Sequence, residues 1–435
     1  MSFMKKSAAG LVLTASALAA STAFAAGFQL TEQSSLGLGR AYAGAGIVGD
    51  DLSAVHYNPA GMTLLPGTQI QAGTVYIDVD AEYSGNDGAE NNGRMKGQLI
   101  PAGYTTYQVN DKLWLGFGMT VPFGMGTHYG RGWEENTSGT SAKIYTFDMN
   151  PSFAYKISDF ISVGAGISVQ YAKAKLGKMA FDLGPSDSLH SKVEGDSWDW
   201  GYNFGIMISP TDTMRFGLAY RSSIEHNASG HTKLAGSGAF SDLDGQIMSM
   251  DTTIETPATV MLTGTWEATQ DLRISGLIRW AEWSNFDTLS LEHGLNAGLK
   301  QNPAVAGGLE TVEIENKWQD TWLFSVGADY RINDTWTVRG GIAYETGAVD
   351  DEKYRVAVIP DTDRLWLSLG ASYHWSKQLQ FDVAAAMLKG IGNRDLYKYG
   401  TDTKAGEYDN LDFFIFNHCH GQFFNAPHLR AMLIP

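Results

Sequence analysis

The chain alternates between apolar and polar positions. In DLRISGLIRWAEW, Leu272, Ile274, Gly276, Ile278 and Trp280 share one face, with Arg273, Ser275 and Arg279 on the other. In DTWTVRGGIAYET, Trp336, Val338, Ile342 and Tyr344 lie opposite Thr337, Arg339 and Glu345. The pattern returns through Trp322, Phe324, Val326, Ala328 and Tyr330, and through Leu365, Leu367, Leu369, Ala371 and Tyr373. A period of two sustained over nine or more residues predicts β-strands. These are longer than ordinary strands of ~5–6 residues.

The punctuation is regular. Short polar turns fall at Asn110–Asp111, Ser158–Asp159, Pro210–Asp212, Thr269–Asp271, Asn333–Asp334 and Ser376–Lys377. Long polar or glycine-rich stretches separate them: 84–96, 128–138, 178–196, 227–250, 291–315 and 347–361. Short turns alternating with long loops characterise outer-membrane barrels, and a soluble β-sandwich has no reason to show them. Six short turns join six hairpins, and one further strand at each end makes fourteen, an even number that closes antiparallel. Aromatics near the predicted strand ends, among them Trp114, Trp198, Trp200, Trp318, Trp336, Trp366 and Trp375, suit two interfacial girdles. Beyond the N-terminus no run of 18 apolar residues occurs, so no helical span is indicated, and a barrel needs only every second residue apolar. The predicted fold is therefore all-β: a 14-stranded antiparallel transmembrane β-barrel over residues 67–412.

The two ends break the pattern. Lys5 and Lys6, the apolar stretch Ala8–Ala20 and Ala23-Phe24-Ala25 form a secretory signal peptide over residues 1–25. Residues 26–66 are small and glycine-rich and do not alternate. They suit a periplasmic tail or a plug; their modest charge and compactness favour a hatch in the lumen of a barrel this wide. After Asp412 the chain reads FFIFNHCHGQFFNAPHLRAMLIP, which carries three of the ten histidines and the sole cysteine. Residues 413–435 read as an aberrant tail, consistent with a shifted reading frame replacing the last strand. His418, Cys419, His420 and His428 are zinc-ligand types, but no metal site is expected there.

Charge and motifs narrow the function. The net charge of −16 over 435 residues excludes a nucleic-acid binder, which needs a basic face. One cysteine gives no internal disulfide, and closing the sheet takes over that role. There is no G-x-S-x-G, P-loop or His-Glu-x-x-His, so neither an enzyme nor a cofactor is expected. Gly44–Gly49 does spell G-x-G-x-x-G. No strand precedes it, and Asp50 and Asp51 would repel a pyrophosphate. Its glycines instead suit a tightly folded hatch with positive φ.

The stretch AGFQLTEQSSLGLGRAYAGAGIVGDDLSAVHYNPAGM resembles the N-terminal hatch of the FadL/TodX family of outer-membrane transporters. NPSFAYKISD, ISVQYAKAKLG, ETPATVMLTGTW, WAEWSNFD and IPDTDRLWLSLGASYHWSK extend the resemblance over about residues 26–412. It implies uptake of long-chain fatty acids, or of small aromatic hydrocarbons, through hydrophobic pockets, hatch movement and lateral exit at a kinked third strand. That strand is KLWLGFGMTVPFG, with Gly116, Gly118, Pro122 and Gly124 as kink positions; glycine and proline weaken a ladder. It also implies a basic head-group anchor at Lys173. A second anchor is expected before DTW, where Gln319 stands with Lys317 two residues earlier. Asn58-Pro59-Ala60 is the hatch motif expected to lie against the kinked strand. The implied partners are hydrophobic small molecules, outer-membrane lipid and lipopolysaccharide, and the barrel assembly machinery. That machinery usually reads a terminal aromatic, whereas this chain ends on Pro435. The implied state is a monomer in the outer membrane of a Gram-negative bacterium. An adhesin and an outer-membrane lipase are the rival readings. An adhesin needs no plug ahead of its first strand, and a lipase needs a serine–histidine pair that the spacing does not provide.

Overall fold

A computed structural model of the chain describes residues 27–423 apart from 79–80, 87, 94–96, 185 and 301–306. The signal-peptide segment and residues 424–435 of the tail lie outside the described residues. Fourteen strands make one antiparallel barrel. They are β1 (Thr68–Asp78), β2 (Gln98–Gln108), β3 (Leu113–Thr120 with Gly124–His128), β4 (Ser141–Lys156), β5 (Ile161–Asp182), β6 (Ser188–Thr211) and β7 (Met214–Arg221 with Ile224–Gly236). There follow β8 (Ile247–Thr256 with Thr259–Glu267), β9 (Leu272–Ala281 with Thr288–Gly294), β10 (Thr311–Glu315 with Thr321–Arg331), β11 (Trp336–Glu345), β12 (Asp363–His374), β13 (Leu379–Ile391) and β14 (Lys404–Phe423). Each pairs with the next, and β14 returns to β1 from Thr68↔Phe423 to Asp78↔Phe413. Apart from one gap between β2 and upper β3, no sheet edge is left open to lipid among the described residues.

The alternation runs inside out. On β10, Trp322, Phe324 and Val326 are 42, 44 and 58 % exposed, whereas Leu323 and Ser325 are buried. Leu365, Leu367 and Leu369 on β12 are likewise exposed, while Arg364 and Ser368 are not. The apolar face meets hydrocarbon and the polar face meets the plug. Not every aromatic joins a girdle. Trp114, Trp318 and Trp366 turn inward, and Trp114 Nε1 donates to Leu65 O of the hatch at 2.8 Å.

Two segments expected as long loops are largely strand. β5 and β6 run through most of 178–196, and β7 and β8 through most of 227–250. Above the membrane a paired strand needs no lipid-facing apolar series, so the pairing persists after the pattern has faded. The chain also continues as β14 past Asp412, where the apolar–polar alternation stops in the sequence. Phe413 and Ile415 face out while Phe414, Phe416 and His418 face in. Both faces are apolar over the first four residues, which hides the period.

Residues 27–67 fill the lumen. They form two short helices, α1 (Ser35–Gly39) and α2 (Ala54–Tyr57), and a 3₁₀ turn over Pro59–Leu64. Ser34 caps α1, its hydroxyl accepting from Gly37 N at 3.1 Å. Asn58 caps the 3₁₀ turn, its Oδ1 accepting from Ala60 N at 3.1 Å, with Pro59 at the first position. Gly44, Gly46 and Gly49 all take positive φ, at 71°, 82° and 89°. A side chain at Gly46 would also sit 2.8 Å from Asn58 N. This run of glycines is a folding device of the hatch.

Buried charge ties the hatch to the wall. Arg40 reaches Asp50 on the hatch at 3.4 Å and Asp329 on β10 at 3.2 Å. Arg273 on β9 reaches the same two carboxylates, each at 3.1 Å. Burial alone would raise the pKa of Asp50, but Arg40, Arg273 and Arg339 outweigh it and hold the carboxyl below its ordinary range.

Candidate functional site at the broken third strand

The lower part of β3 pairs with both neighbours, with β2 from Gln108↔Trp114 to Gly103↔Met119 and with β4 up to Thr120↔Asp148. Above Thr120 this changes. Three residues, Val121 to Phe123, stand opposite two on β4 before pairing resumes at Gly124↔Tyr145. That is a bulge, and Pro122, which has no N–H, sits in it. The upper part of β3 pairs with β4 alone, while residues 98–102 of β2 pair with β1 alone. The barrel wall therefore parts between β2 and upper β3.

The start of the hatch occupies this gap. Leu30 N donates to Pro122 O at 2.8 Å, and Gly124 N donates to Phe28 O at 2.9 Å. Gln33 Nε2 donates to Val121 O at 2.8 Å, and its own carbonyl accepts from the Tyr104 hydroxyl on β2 at 3.0 Å. The hatch thus satisfies the backbone groups that β2 abandons. Phe28 anchors the segment in a buried aromatic cluster, its ring centroid 4.7 Å from Trp283, 5.6 Å from Phe286 and 6.0 Å from both Phe123 and Trp318.

Behind the gap lies a cavity of about 50 Å³. Leu30 and Thr31 of the hatch, Pro122 and Phe123 of the break, and the guanidinium-bearing Arg221 and Arg279 all line it. Arg279 donates to Thr31 Oγ1 and to Glu345 Oε1, each at 2.8 Å. Arg221 donates to His56 O at 3.1 Å. Burial, followed by the charges of Arg221 and Arg279, holds the pKa of His56 well below its ordinary value, so it is neutral. Glu32 is the hatch carboxyl with least support: both its oxygens are buried and, among the described residues, find no hydrogen-bond partner beyond its own backbone. Burial, with help from Glu345, pushes its pKa up to about 8 against the opposing pull of its backbone hydrogen bond and of Arg279 and Arg364. The volume holds about one water at ~30 Å³ each and falls far short of the ~300–1,000 Å³ of a ligand pocket.

A second cavity of about 140 Å³ opens among the upper parts of β5 to β10. Its walls are largely apolar, with Leu176, Val193, Leu291, Leu309 and Ile314, and its cation is Lys178. Lys178 has no ion-pair partner among the described residues, and burial pushes its pKa below the usual lysine value. Opposite it, His293 is fixed by Thr232 Oγ1 and by Leu309 O, each at 2.7 Å. Strand parity could have flagged Lys178: it shares the inward face of β5 with Leu176 and Ala180.

The predicted residues are scattered. Lys173 lies on the outward face of β5, 2.7 Å from Glu194 and 3.9 Å from Asp196. Lys317, with φ 49°, holds its ammonium 3.8 Å over the Tyr354 ring and 2.9 Å from Glu315. Gln319 bonds through its N to Ala348 O at 2.7 Å. None of the three lines either cavity. Asn58 is buried, its Nδ2 donating to Ile206 O of β6 at 3.1 Å. It backs onto Gly205, and the Pro59–Ala60 peptide backs onto Gly164 of β5. The motif therefore presses on β5 and β6, and neighbouring Met62 reaches β3 at Gly116. Pro122 and Gly124 belong to the break. Gly116 and Gly118 sit below it in regular ladder, facing the hatch.

A sequence profile of the family described as "Outer membrane protein transport protein (OMPP1/FadL/TodX)" matches residues 16–411. The long-chain fatty acid transport protein of Escherichia coli O6:H1 is 29% identical over 412 residues, covering 86% of this chain and 89% of its own. A crystal structure of a Pseudomonas aeruginosa FadL homologue superposes with a TM-score of 0.81 at 25% identity, covering 92% of this chain and all of that one. The fold is shared, at a TM-score of 0.68 and 18% identity, with the toluene transporter TodX of P. putida, over 86% of this chain and 95% of that one. Barrel, hatch, broken third strand and profile agree: the chain belongs to the OMPP1/FadL/TodX family of outer-membrane transporters for hydrophobic compounds.

Proposed function

We propose that this protein is a diffusion channel for long-chain fatty acids, without enzymatic activity, working as a monomer among outer-membrane lipids and lipopolysaccharide. The ligand enters the apolar outer cavity carboxylate first, at Lys178, with most of its tail still outside that space of about 140 Å³. It passes inward toward Arg221 and Arg279 and leaves sideways between β2 and upper β3 once the hatch segment 28–33 lets go. The observation that carries this reading is that the residues closing the wall, Phe28 to Gln33, include those that shrink the inner cavity. One movement would enlarge the cavity and open the wall together. An apolar tail gains ~0.8 kcal/mol for each methylene kept out of water, so a chain of pockets suits it better than a wet pore. Lys173 and Lys317 remain proposals as anchors, for a ligand on its way over the outer surface.

The test is a tether. In a Cys419→Ser background, the double change Gln29→Cys and Phe123→Cys joins two residues that face each other across the gap. Oxidation should abolish oleate uptake, reduction should restore it, and neither single variant should respond. Undiminished uptake by the oxidised protein would overturn the lateral route. The TodX fold likeness makes an aromatic hydrocarbon the alternative ligand. Uptake of toluene but not oleate would favour it.

A further inference from the structure

We infer that the outward wall of β4 to β7, just above the membrane, binds the two phosphates of lipid A. Strand register places the side chains in rows. Phe147, Tyr171 and Trp198 form one row, and Trp198 is 56 % exposed. Below it the same faces carry Phe153, Tyr155, Phe204 and Ile206, all exposed and apolar. Phe147 to Tyr155 spans about 26 Å along β4 at ~3.3 Å per residue, or about 20 Å of membrane at a tilt of ~40°. The row is thus the outer aromatic belt.

The next rows upward bring in lysine, balanced by carboxylates in the first row and in excess above it. Tyr145, Lys173 and Asp196 come first, then Lys143, Lys175 and Glu194 with His231 of β7. Lys192 and Lys233 stand opposite each other one row higher. Two lysine pairs are therefore directly opposed, Lys143 with Lys175 and Lys192 with Lys233. Like charges facing each other across a ladder are destabilising, and the sequence places them at the depth of lipid phosphate. Glu194 satisfies Lys173 at 2.7 Å and Lys175 at 2.8 Å. Lys143, Lys192 and Lys233 have no carboxylate within ion-pairing distance among the described residues, although the chain as a whole carries −16. The lysine pairs lie two strand spacings apart laterally and one two-residue step apart vertically, about 12 Å in all. A diphosphorylated disaccharide in the outer leaflet offers two anions on that scale, with its acyl chains beside the apolar rows below. Phosphatidylethanolamine and phosphatidylglycerol each offer a single phosphate. Fixed cations at this height neutralise the phosphates by the electrostatics that hold anionic lipid to basic patches.

The full chain, folded in detergent, is titrated with diphosphorylated lipid A and with the same lipid stripped of both phosphates, and occupancy is read by native mass spectrometry. The wild type should prefer the diphosphorylated form by at least about tenfold. The triple variant Lys143→Gln/Lys192→Gln/Lys233→Gln should lose that preference. The triple Lys→Arg variant should keep it, as should Lys112→Gln/Lys156→Gln at the turn end of the barrel. With no lipid present, the Gln variant should melt no lower than wild type, because it removes only repulsion; lipid A should raise the melting temperature of the wild type alone. Equal binding of the stripped lipid would overturn the assignment. So would an unaltered preference in the Gln variant, or displacement by phosphatidylglycerol at equal phosphate.

Discussion

Two single residues carry most of the chemistry that parity and burial create. Glu32 is one. Its carboxyl has a pKa near 8 in the docked hatch against 4.5 in the open. Above about pH 4.5 the released carboxyl ionises while the docked one keeps its proton, so the undocked state binds fewer protons and docking weakens. The loss runs from about 4.5 to about 8 and then levels off. Limited proteolysis of the hatch should become faster across that window in the wild type and respond less in Glu32→Gln; identical slopes would remove Glu32 from the account. Lys178 is the other. Lys178→Ala should weaken oleate binding by about tenfold or more, since a charge-assisted bond contributes ~1.5–3 kcal/mol, and should leave binding of the corresponding alcohol almost unchanged. Lys178 was legible only through parity. Lys173, an odd position on the same strand, faces the outside, and resemblance at the level of QYAKAKLG does not report which way a side chain points.

At the scale of elements, the alternation of β9 to β12 translated directly into strands because lipid on one side and plug on the other enforce it. Where that contrast ends, so does legibility. β5 to β8 extend beyond the membrane on pairing alone, and the first part of β14 hides its period by being apolar on both faces. The break in β3 was foreshadowed by Pro122, which cannot donate to a ladder. What replaces the missing ladder was not foreshadowed, because Phe28 to Gln33 are about 90 residues away in sequence. Pro122→Ala restores an N–H but leaves the extra residue of the bulge in place. The hatch contacts should persist, and oleate uptake should change by less than about threefold. A large loss would shift the weight from the bulge to the proline itself.

On the scale of the whole molecule, the barrel closes by backbone pairing, and the plug is held by charge. Removing one member of a buried ion-paired cluster costs about 3–5 kcal/mol. Arg40→Ala leaves Asp50 and Asp329 short of a cation, so it should loosen the hatch while the barrel stays folded. The expected signs are faster hatch proteolysis and a measurable leak of polar antibiotics, with unchanged heat-modifiable mobility on gels. The fourteen-fold closure was readable from six short turns. The anchoring cluster was not, since its members come from the hatch, β9, β10 and β11, and only the closed barrel brings them together.

The seam between hatch and β3 also sets a population. On the proposed lateral route, three hydrogen bonds to β3 and one to β2 would part as the wall opens. At ~1 kcal/mol net for each, those bonds alone disfavour opening by about 4 kcal/mol, roughly a thousandfold. An unliganded molecule would then stand open for at most about a thousandth of the time, which limits passive leakage, and a hydrophobic guest that binds the open form better raises that fraction.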